Sequence, residues 1–382
     1  MLIDFNYILK RIDVLINENR QNLSENASSS KTKSTALKWA KRILRSFYGD
    51  FKLYYIGIQQ IKHSKKEIQI PPFNLIALSF MKYFFVENRN FSFDTSLYFD
   101  ESQNKDIMNF FDNRIRSTIA GLGSIKKSVV QEENLQIEKF INGKVQKDSA
   151  GFFHLKLHGE NEYILPIKYF APDVFVRHYG LKELSDEQKN YITGKDFLDL
   201  GAFYGDTCLI FSNYKPRRIF AYEPVKSTFD LMIETLHKNN IDIVVPINKG
   251  VGEEKDTITI FSNDSDAAAS SIVYNQGSNS QDKISEEQIE IVTIDEECKD
   301  RKVGLIKMDV EGYEYYAIKG GIKTIQRDKP ILLISIYHTA KDFFEIPPMI
   351  RSVCPDYLFR YMDISPSTPI TDKIILAYPS VL

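Results

Sequence analysis

Residues 197–207 read FLDLGAFYGDT, and this stretch decides the fold that we predict for the 382-residue chain. The apolar run Phe197–Leu200 is typical of a buried strand. Gly201 and Gly205 predict a tight turn whose backbone can approach a ligand closely. A helix that begins near Asp206 would direct free N–H groups toward that ligand. The stretch therefore predicts a strand, a loop and a helix that together bind a small molecule.

Six further short apolar runs follow, and most are separated by stretches with helical periodicity. They cover residues 218–223, 243–247, 303–309, 331–337, 357–361 and 373–378. Alternation of strands and helices predicts a parallel sheet that is covered on both faces. The last two runs have little sequence between them and would add an antiparallel edge. The predicted fold class is α/β, with a Rossmann-like, doubly wound sheet of seven strands.

The chain before this sheet has a different pattern. Residues 1–150 are predicted to be a mainly helical region for oligomerisation or acceptor recognition, since apolar residues recur there at helical spacing. The clearest helical face consists of Ile3, Tyr7, Ile8, Ile12, Leu15 and Ile16. Residues 151–190 alternate and contain a turn, which predicts a β-hairpin and linker packed on the next domain. Residues 191–382 form the predicted sheet domain.

Composition limits the classes of partner. The formal net charge is −2, so no overall positive field predicts a nucleic acid partner. The segment Lys31–Lys66 holds ten basic residues and one acidic residue. A solvated helical face explains this charge, and contact with a membrane surface or an anionic glycan is the alternative.

Three cysteines without metal-ligand spacing predict neither zinc nor a disulfide framework. The N-terminus has no apolar core of the kind found in signal peptides, and no apolar run is long enough to span a membrane. A cytoplasmic location is therefore expected.

The second strand ends at Glu223-Pro224, twenty-four residues after Asp199. A carboxylate at this strand tip can accept hydrogen bonds from a ribose diol. The glycines are not spaced as Gly-x-Gly-x-x-Gly, which weakens the case for a dinucleotide. An adenosyl ligand fits the loop and the acid together, although a helix cap would also explain Glu223.

Acidic residues crowd the end of the fourth strand. Asp309 and Glu311 would share a face if the backbone stays extended, and Glu314 is expected to be structural. Carboxylates this close raise one another's pKa, which suits a general base, whereas helix capping is the alternative. His338 follows the fifth strand and is a further candidate base or substrate contact. A metal held by Asp309 and Glu311 is a lesser alternative, and no metal is expected.

These motifs resemble the FkbM family of S-adenosylmethionine-dependent methyltransferases. The matching pieces are FLDLGA with GDT (197–202, 205–207), AYEP (221–224), VTID (292–295), LIKMDVEGYE (305–314) and KGG (319–321). The resemblance covers about residues 190–340 and does not include residues 1–150. It implies a seven-stranded class I methyltransferase fold and the cofactor S-adenosyl-L-methionine.

The resemblance also implies roles for individual residues. Asp199, Gly201 and Gly205 would form the cofactor loop, Glu223 would hold the ribose, and Asp309 would lie beside the methionine end. The remaining candidates for cofactor contact are Ala202, Phe203, Asp206, Thr207, Pro224 and Gly250. The bulky pair Phe203-Tyr204 departs from the usual family loop.

Three functions fit these expectations. The first is O-methylation of a sugar or glycan during surface polysaccharide or glycolipid assembly. The second is methylation of a lipid or secondary metabolite. The third is a non-catalytic scaffold that keeps the adenosyl site. The oligomeric state is open, and a homo-oligomer is an alternative to a monomer.

Overall fold

The computed structural model describes residues 1–12, 14–15, 80, 83–88, 90–120, 128–157, 161–263, 284–364 and 369–382. The chain divides into two compact units, Met1–Ser128 and Val129–Leu382. The basic segment Lys31–Lys66 lies outside the described residues, so its predicted partner stays a prediction.

The first unit begins with a strand rather than the predicted helix. β1 (Leu2–Asp4) pairs antiparallel with β2 (Ser92–Asp94), so Ile3 belongs to a strand. Residues 5–12 are helical, and the Asp4 carboxylate accepts a hydrogen bond from the Tyr7 N–H at 2.7 Å, as a helix cap does. The other elements of this unit are Tyr83–Glu87, Thr95–Leu97, Glu101–Gln103 and the helix Asn104–Ala120.

The second unit opens with the helix Val129–Asn142 and a small antiparallel sheet. This sheet consists of β3 (Gln146–Lys147), β4 (Phe153–Lys156) and β5 (Glu162–Leu165). Phe153 pairs with Leu165, so the two strands of the predicted hairpin are present. Residues 158–160, which contain the first half of the predicted turn (159–162), lie outside the described residues.

Seven strands form the main sheet, as predicted. They are β6 (Asp196–Leu200), β7 (Arg218–Tyr222), β8 (Val244–Ile247), β12 (Val303–Met308), β13 (Ile331–Ser335), β14 (Tyr357–Asp363) and β15 (Lys373–Pro379). Their order is β14-β15-β13-β12-β6-β7-β8. The five strands from β13 to β8 are parallel, and β15 and β14 add the predicted antiparallel edge.

The order of the strands explains where a ligand can bind. The chain enters at β6, runs outward to β8, and returns to β12 on the other side of β6. The carboxyl ends of β6 and β12 therefore lie side by side at the point where the strand order reverses, which is where open α/β sheets bind ligands.

Helices follow the parallel strands because these connections must cross back over the sheet. They are Asp206–Phe211, Lys226–Lys238, Ile294–Glu297, Glu314–Lys319, Ile322–Asp328, Ala340–Phe344 and Ile346–Val353. Before β6 come the helices Pro172–Phe175 and Asp186–Ile192 and the 3₁₀ segment His178–Glu183. Both central strands, β6 and β12, are buried along their whole length.

A third sheet had not been predicted. β9 (Gly250–Val251) lies parallel to β11 (Ile284–Val292), which pairs antiparallel with β10 (Asp256–Asn263). The sequence signal for this sheet was the alternation of apolar residues in β10 and β11.

None of the helices in the described part of the chain is both long and apolar enough to cross a membrane.

Candidate functional site

The glycine loop, residues 201–205, lies directly against the end of β12. Gly201 has φ of +77°, and a Cβ placed on it would lie 1.8 Å from the Asp309 carbonyl oxygen. The N–H groups of Gly201 and Ala202 both donate to the Tyr222 carbonyl, at 3.0 and 2.9 Å. A side chain at position 201 would therefore separate the loop from the neighbouring strand end.

The second half of the loop also needs an unusual backbone. Phe203 and Gly205 have φ of +50° and +84°, and Gly205 precedes the helix Asp206–Phe211. The Tyr204 ring is buried, and its hydroxyl donates to the Tyr169 carbonyl at 2.9 Å. The bulky pair Phe203-Tyr204 thus has a structural explanation, since Tyr204 anchors the loop to the segment that precedes β6.

Asp199 and Lys307 form a buried ion pair beneath the loop. They face each other across β6 and β12, and the Lys307 Nζ lies 3.1 Å from the Asp199 Oδ1. The Thr207 hydroxyl donates to the other carboxylate oxygen, while Lys307 also donates to the Gly201 carbonyl at 2.6 Å. Burial lowers the pKa of Lys307, but Asp199 and Asp309 outweigh that effect and the pKa is raised. Lys307 therefore stays charged and ties the loop to both strands.

Glu223 lies at the end of β7 and is 6% exposed. Its two carboxylate oxygens accept hydrogen bonds from the N–H groups of Phe203 and Val225, each at 3.0 Å. Burial raises the pKa of Glu223 to about 8. A Cβ on Gly250 would lie 3.7 Å from Pro224, so the predicted contacts Pro224 and Gly250 are neighbours beside Glu223.

Asp206 begins the helix after the loop and is 5% exposed. Its carboxylate accepts the Thr207 N–H at 2.9 Å. Burial raises the pKa of Asp206 to about 6, although Lys307 opposes this effect.

The acidic junction, residues 309–314, is a turn rather than an extension of the strand. β12 ends at Met308, and Glu311 has φ of +55°, so the extended backbone expected for Asp309 and Glu311 is absent. The buried Glu314 carboxylate accepts the N–H groups of Val310 and Gly312 at 2.8 and 2.9 Å. These bonds hold the turn together, which agrees with the structural role expected for Glu314.

The turn brings three acidic side chains to His338. The His338 Nδ1 lies 2.9 Å from Glu314, and its Nε2 lies 3.4 Å from Glu311 and 3.7 Å from Asp309. Burial lowers the pKa of His338, but Glu314 and Glu311 raise it more strongly, to well above its usual value. The Tyr337 hydroxyl donates to Asp309 at 3.3 Å. The neighbouring carboxylates therefore favour the protonated form of His338.

A metal ion is chemically compatible with part of this cluster. Among the described residues, ligand atoms of Asp309, Glu314 and His338 lie within 4.8 Å of one another. This set differs from the predicted alternative of Asp309 with Glu311. That the protein functions without a metal stays a prediction.

The candidate residues thus meet at one edge of the sheet, although their proposed roles stay predictions. Asp199, the glycine loop and Glu223 surround the end of β6, and Asp309 joins them to Glu311 and His338. Sequence reasoning assigned no role to Lys307 or Tyr337. The sequence signal for Lys307 was a basic residue inside an otherwise apolar strand, which in a buried position requires a partner.

Comparison with known proteins agrees with this arrangement. The family model described as the Methyltransferase FkbM domain matches residues 199–361. No curated protein sequence matches the chain.

Several solved structures are similar to this chain. Methyltransferase FkbM from Methylobacillus flagellatus KT is 23% identical, with a TM-score of 0.40 over 54% of this chain and 47% of that chain. Trm5b from Pyrococcus abyssi is 13% identical, with a TM-score of 0.34 over 60% and 55% of the two chains. Methanocaldococcus jannaschii Trm5, solved in complex with adenosine, is 13% identical, with a TM-score of 0.32 over 59% and 53%.

The matched part spans about half of the length of each of these three proteins. The family match itself includes Asp199, the glycine loop, Glu223, the acidic junction and His338. Residues 199–361 of this chain therefore match the FkbM methyltransferase domain.

Proposed function

We propose that this protein is an S-adenosyl-L-methionine-dependent methyltransferase that modifies a hydroxyl group of a sugar or glycan. The observation that carries the proposal is the contact between Gly201 and the Asp309 carbonyl. This contact puts the glycine loop, which would hold an adenosyl ligand, beside the cluster of His338 with Asp309, Glu311 and Glu314.

The residues of the site fit the proposed cofactor. The backbone at Gly201 has no room for a Cβ, so the loop can lie close to a ligand and to β12 at once. Glu223 accepts one N–H on each oxygen, and a carboxylate oxygen can accept a second hydrogen bond. A ribose diol is a donor of this kind, and its arrival would favour the charged form of Glu223.

The cofactor, when bound, supplies a methyl group that the sulfonium sulfur has already activated. The protein must then orient the acceptor and remove its hydroxyl proton. Glu311 is the best candidate base, since its side chain is 42% exposed whereas that of His338 is 5% exposed. His338, whose protonated form the carboxylates favour, would orient Glu311 rather than accept the proton itself. Asp309 lies between this pair and the glycine loop.

The proposed acceptor rests on chemistry and on family resemblance. A base beside the methyl donor suits a hydroxyl, which must lose its proton as the new bond forms. Surface polysaccharide and glycolipid assembly are the processes that we favour for such a product. The overall negative charge gives no support to a nucleic acid acceptor.

The test uses the full chain and tritiated S-adenosyl-L-methionine. The protein is incubated with glycan, lipid and small-molecule fractions of the source cells, and binding of S-adenosyl-L-homocysteine is measured separately by calorimetry. We expect label in the glycan fraction. Label in the lipid or small-molecule fraction would replace the glycan proposal, binding without transfer would favour a scaffold, and failure to bind would refute the cofactor.

The base is tested with Glu311→Gln. We expect the variant to bind S-adenosyl-L-homocysteine normally and to lose about 10²–10⁴-fold in transfer rate, the usual contribution of a general base. Glu234→Gln is the matched control, because Glu234 is exposed on the helix Lys226–Lys238. If the Glu311 variant kept its full rate, Asp309→Asn would be the next candidate and the role of Glu311 would be wrong.

A further inference from the structure

Asp173 is a buried carboxylate that the proposed mechanism does not yet use. It lies in the short helix Pro172–Phe175 before β6 and is 8% exposed. Its Oδ1 has no hydrogen-bond partner among the residues that the structure describes. A buried polar atom of this kind usually has a partner, and a charged one requires a counter-ion.

The surroundings of Asp173 are part of the candidate site. The helix Pro172–Phe175 packs against the helix Asp206–Phe211, which begins at the end of the glycine loop. Tyr169, four residues before Asp173, accepts the hydrogen bond of Tyr204 from the loop and makes an edge contact with its ring at 6.2 Å. Asp173 is thus held beside the carboxyl end of β6.

The charges that act on Asp173 most strongly are negative. Burial raises the pKa of this carboxyl group, and Asp372, Asp206 and Asp309 raise it further. Two buried cations, Lys307 and Lys373, already pair with Asp199 at 3.1 Å and with Asp363 at 2.8 Å. The charged form of Asp173 is therefore disfavoured by its surroundings, and a positively charged ligand beside it would offset that cost.

We propose that Asp173 binds the α-ammonium group of the cofactor at its methionine end. The inference rests on the proposed function, because that cofactor carries an ammonium group on the side of the molecule opposite to its adenosine. Glu223, which would hold the ribose, contacts Phe203 in the middle of the loop, whereas Asp173 lies near Asp206 at its end. The two acids would then hold the two ends of one ligand.

A metal ion explains Asp173 less well. Within the described ranges, the set whose ligand atoms converge closely enough for a metal is Asp309, Glu314 and His338, and Asp173 is not in it. A single carboxylate oxygen suits an ammonium group, which forms directional hydrogen bonds with separate acceptors.

The experiment compares two ligands on the full-length protein by calorimetry. One is S-adenosyl-L-homocysteine, and the other is its deamino analogue, in which hydrogen replaces the α-amino group. We expect the wild type to prefer the first ligand about tenfold or more, as for a charge-assisted hydrogen bond. Asp173→Asn should lose about tenfold in affinity for S-adenosyl-L-homocysteine and nothing for the deamino analogue.

Asp186→Asn is the matched control, since Asp186 is exposed on the next helix, and it should leave both affinities unchanged. The proposal is wrong if the wild type binds both ligands equally, or if Asp173→Asn weakens both to the same extent. If the Asn variant does not fold, equal binding of the two ligands by the wild type still refutes the proposal. A wild type that binds neither ligand would refute the proposed function, which is a separate result.

Discussion

Replacing Gly201 with alanine tests the close approach between the glycine loop and β12. The new Cβ would lie 1.8 Å from the Asp309 carbonyl oxygen and 2.8 Å from its carbonyl carbon. Both atoms belong to the backbone at the end of a buried central strand, so they cannot move as a side chain does. The substitution also forces an L-residue to keep φ near +77°.

The two effects can be added approximately. A left-handed backbone costs about 1–2 kcal/mol for a residue with a Cβ. Overpacking in a well-packed region costs about 1–3 kcal/mol. We therefore expect Gly201→Ala to lower the free energy of unfolding by ~2–5 kcal/mol, which corresponds to a Tm lower by roughly 4–20 °C for a unit of this size.

Two other glycines separate the contributions. Gly194 has φ of +74° and no atom within 4 Å of its ideal Cβ, so Gly194→Ala should show the backbone cost alone. Gly320 lacks a positive φ, but its Cβ would lie 2.0 Å from the Gly252 carbonyl oxygen, so Gly320→Ala should show the clash alone. Thermal and urea unfolding of the Val129–Leu382 unit within the full chain measure all three.

The same variants test the connection between packing and function. Gly201→Ala should lose most of its binding of S-adenosyl-L-homocysteine, because the loop can no longer lie against Asp309. Gly194→Ala should keep it. Equal stability of these two variants would refute the close approach, and normal ligand binding by Gly201→Ala would refute its role in the site.

Two further substitutions test the buried charges of the site. Lys307→Met leaves Asp199 as an unpaired buried charge and should cost about 3–5 kcal/mol of unfolding free energy. Lys302→Met should cost less than about 1 kcal/mol, since Lys302 is 59% exposed in its pair with Asp328. Urea unfolding measures the loss of unfolding free energy in both variants. Similar losses in Lys307→Met and Lys302→Met would contradict the importance of burial. Glu223 has its pKa raised from 4.5 to about 8, so the folded state keeps a proton that the unfolded state has lost, and stability should fall as pH rises across that window. Between pH 5.5 and 7.5 this contribution is about 2–3 kcal/mol, and an unchanged pH dependence of stability in Glu223→Gln would show the pKa to be unshifted.

The main sheet could be predicted because its evidence is local. Each central strand is buried on both faces, so its sequence is largely apolar, as in Phe197–Leu200 and Val303–Met308, which contain one charged residue each. Parallel strands bring their carboxyl ends to one edge, and this rule alone predicts that Asp199, Glu223 and Asp309 meet.

Other features depend on partners that are distant in sequence. Lys307 needs Asp199, and Leu2–Asp4 becomes a strand because it pairs with Ser92–Asp94. The local hydrophobic periodicity reveals neither partner, and at Ile3 it favoured a helix. Asp173 was overlooked for the same reason, since its burial comes from packing between short segments that resemble a linker.

The buried acids of this sheet edge differ in the groups that contact their carboxyl oxygens. Lys307 pairs with Asp199, while the N–H groups of Phe203 and Val225 satisfy Glu223, and two more N–H groups satisfy Glu314. In each case the partner is part of the protein, so the group also stabilises the loop or turn around it. Asp173 has a buried oxygen for which the described part of the chain offers no such partner, and it lies among other carboxylates. Because no group among the described residues pairs with this oxygen, a cationic ligand offers a physical reason for a carboxylate at this position.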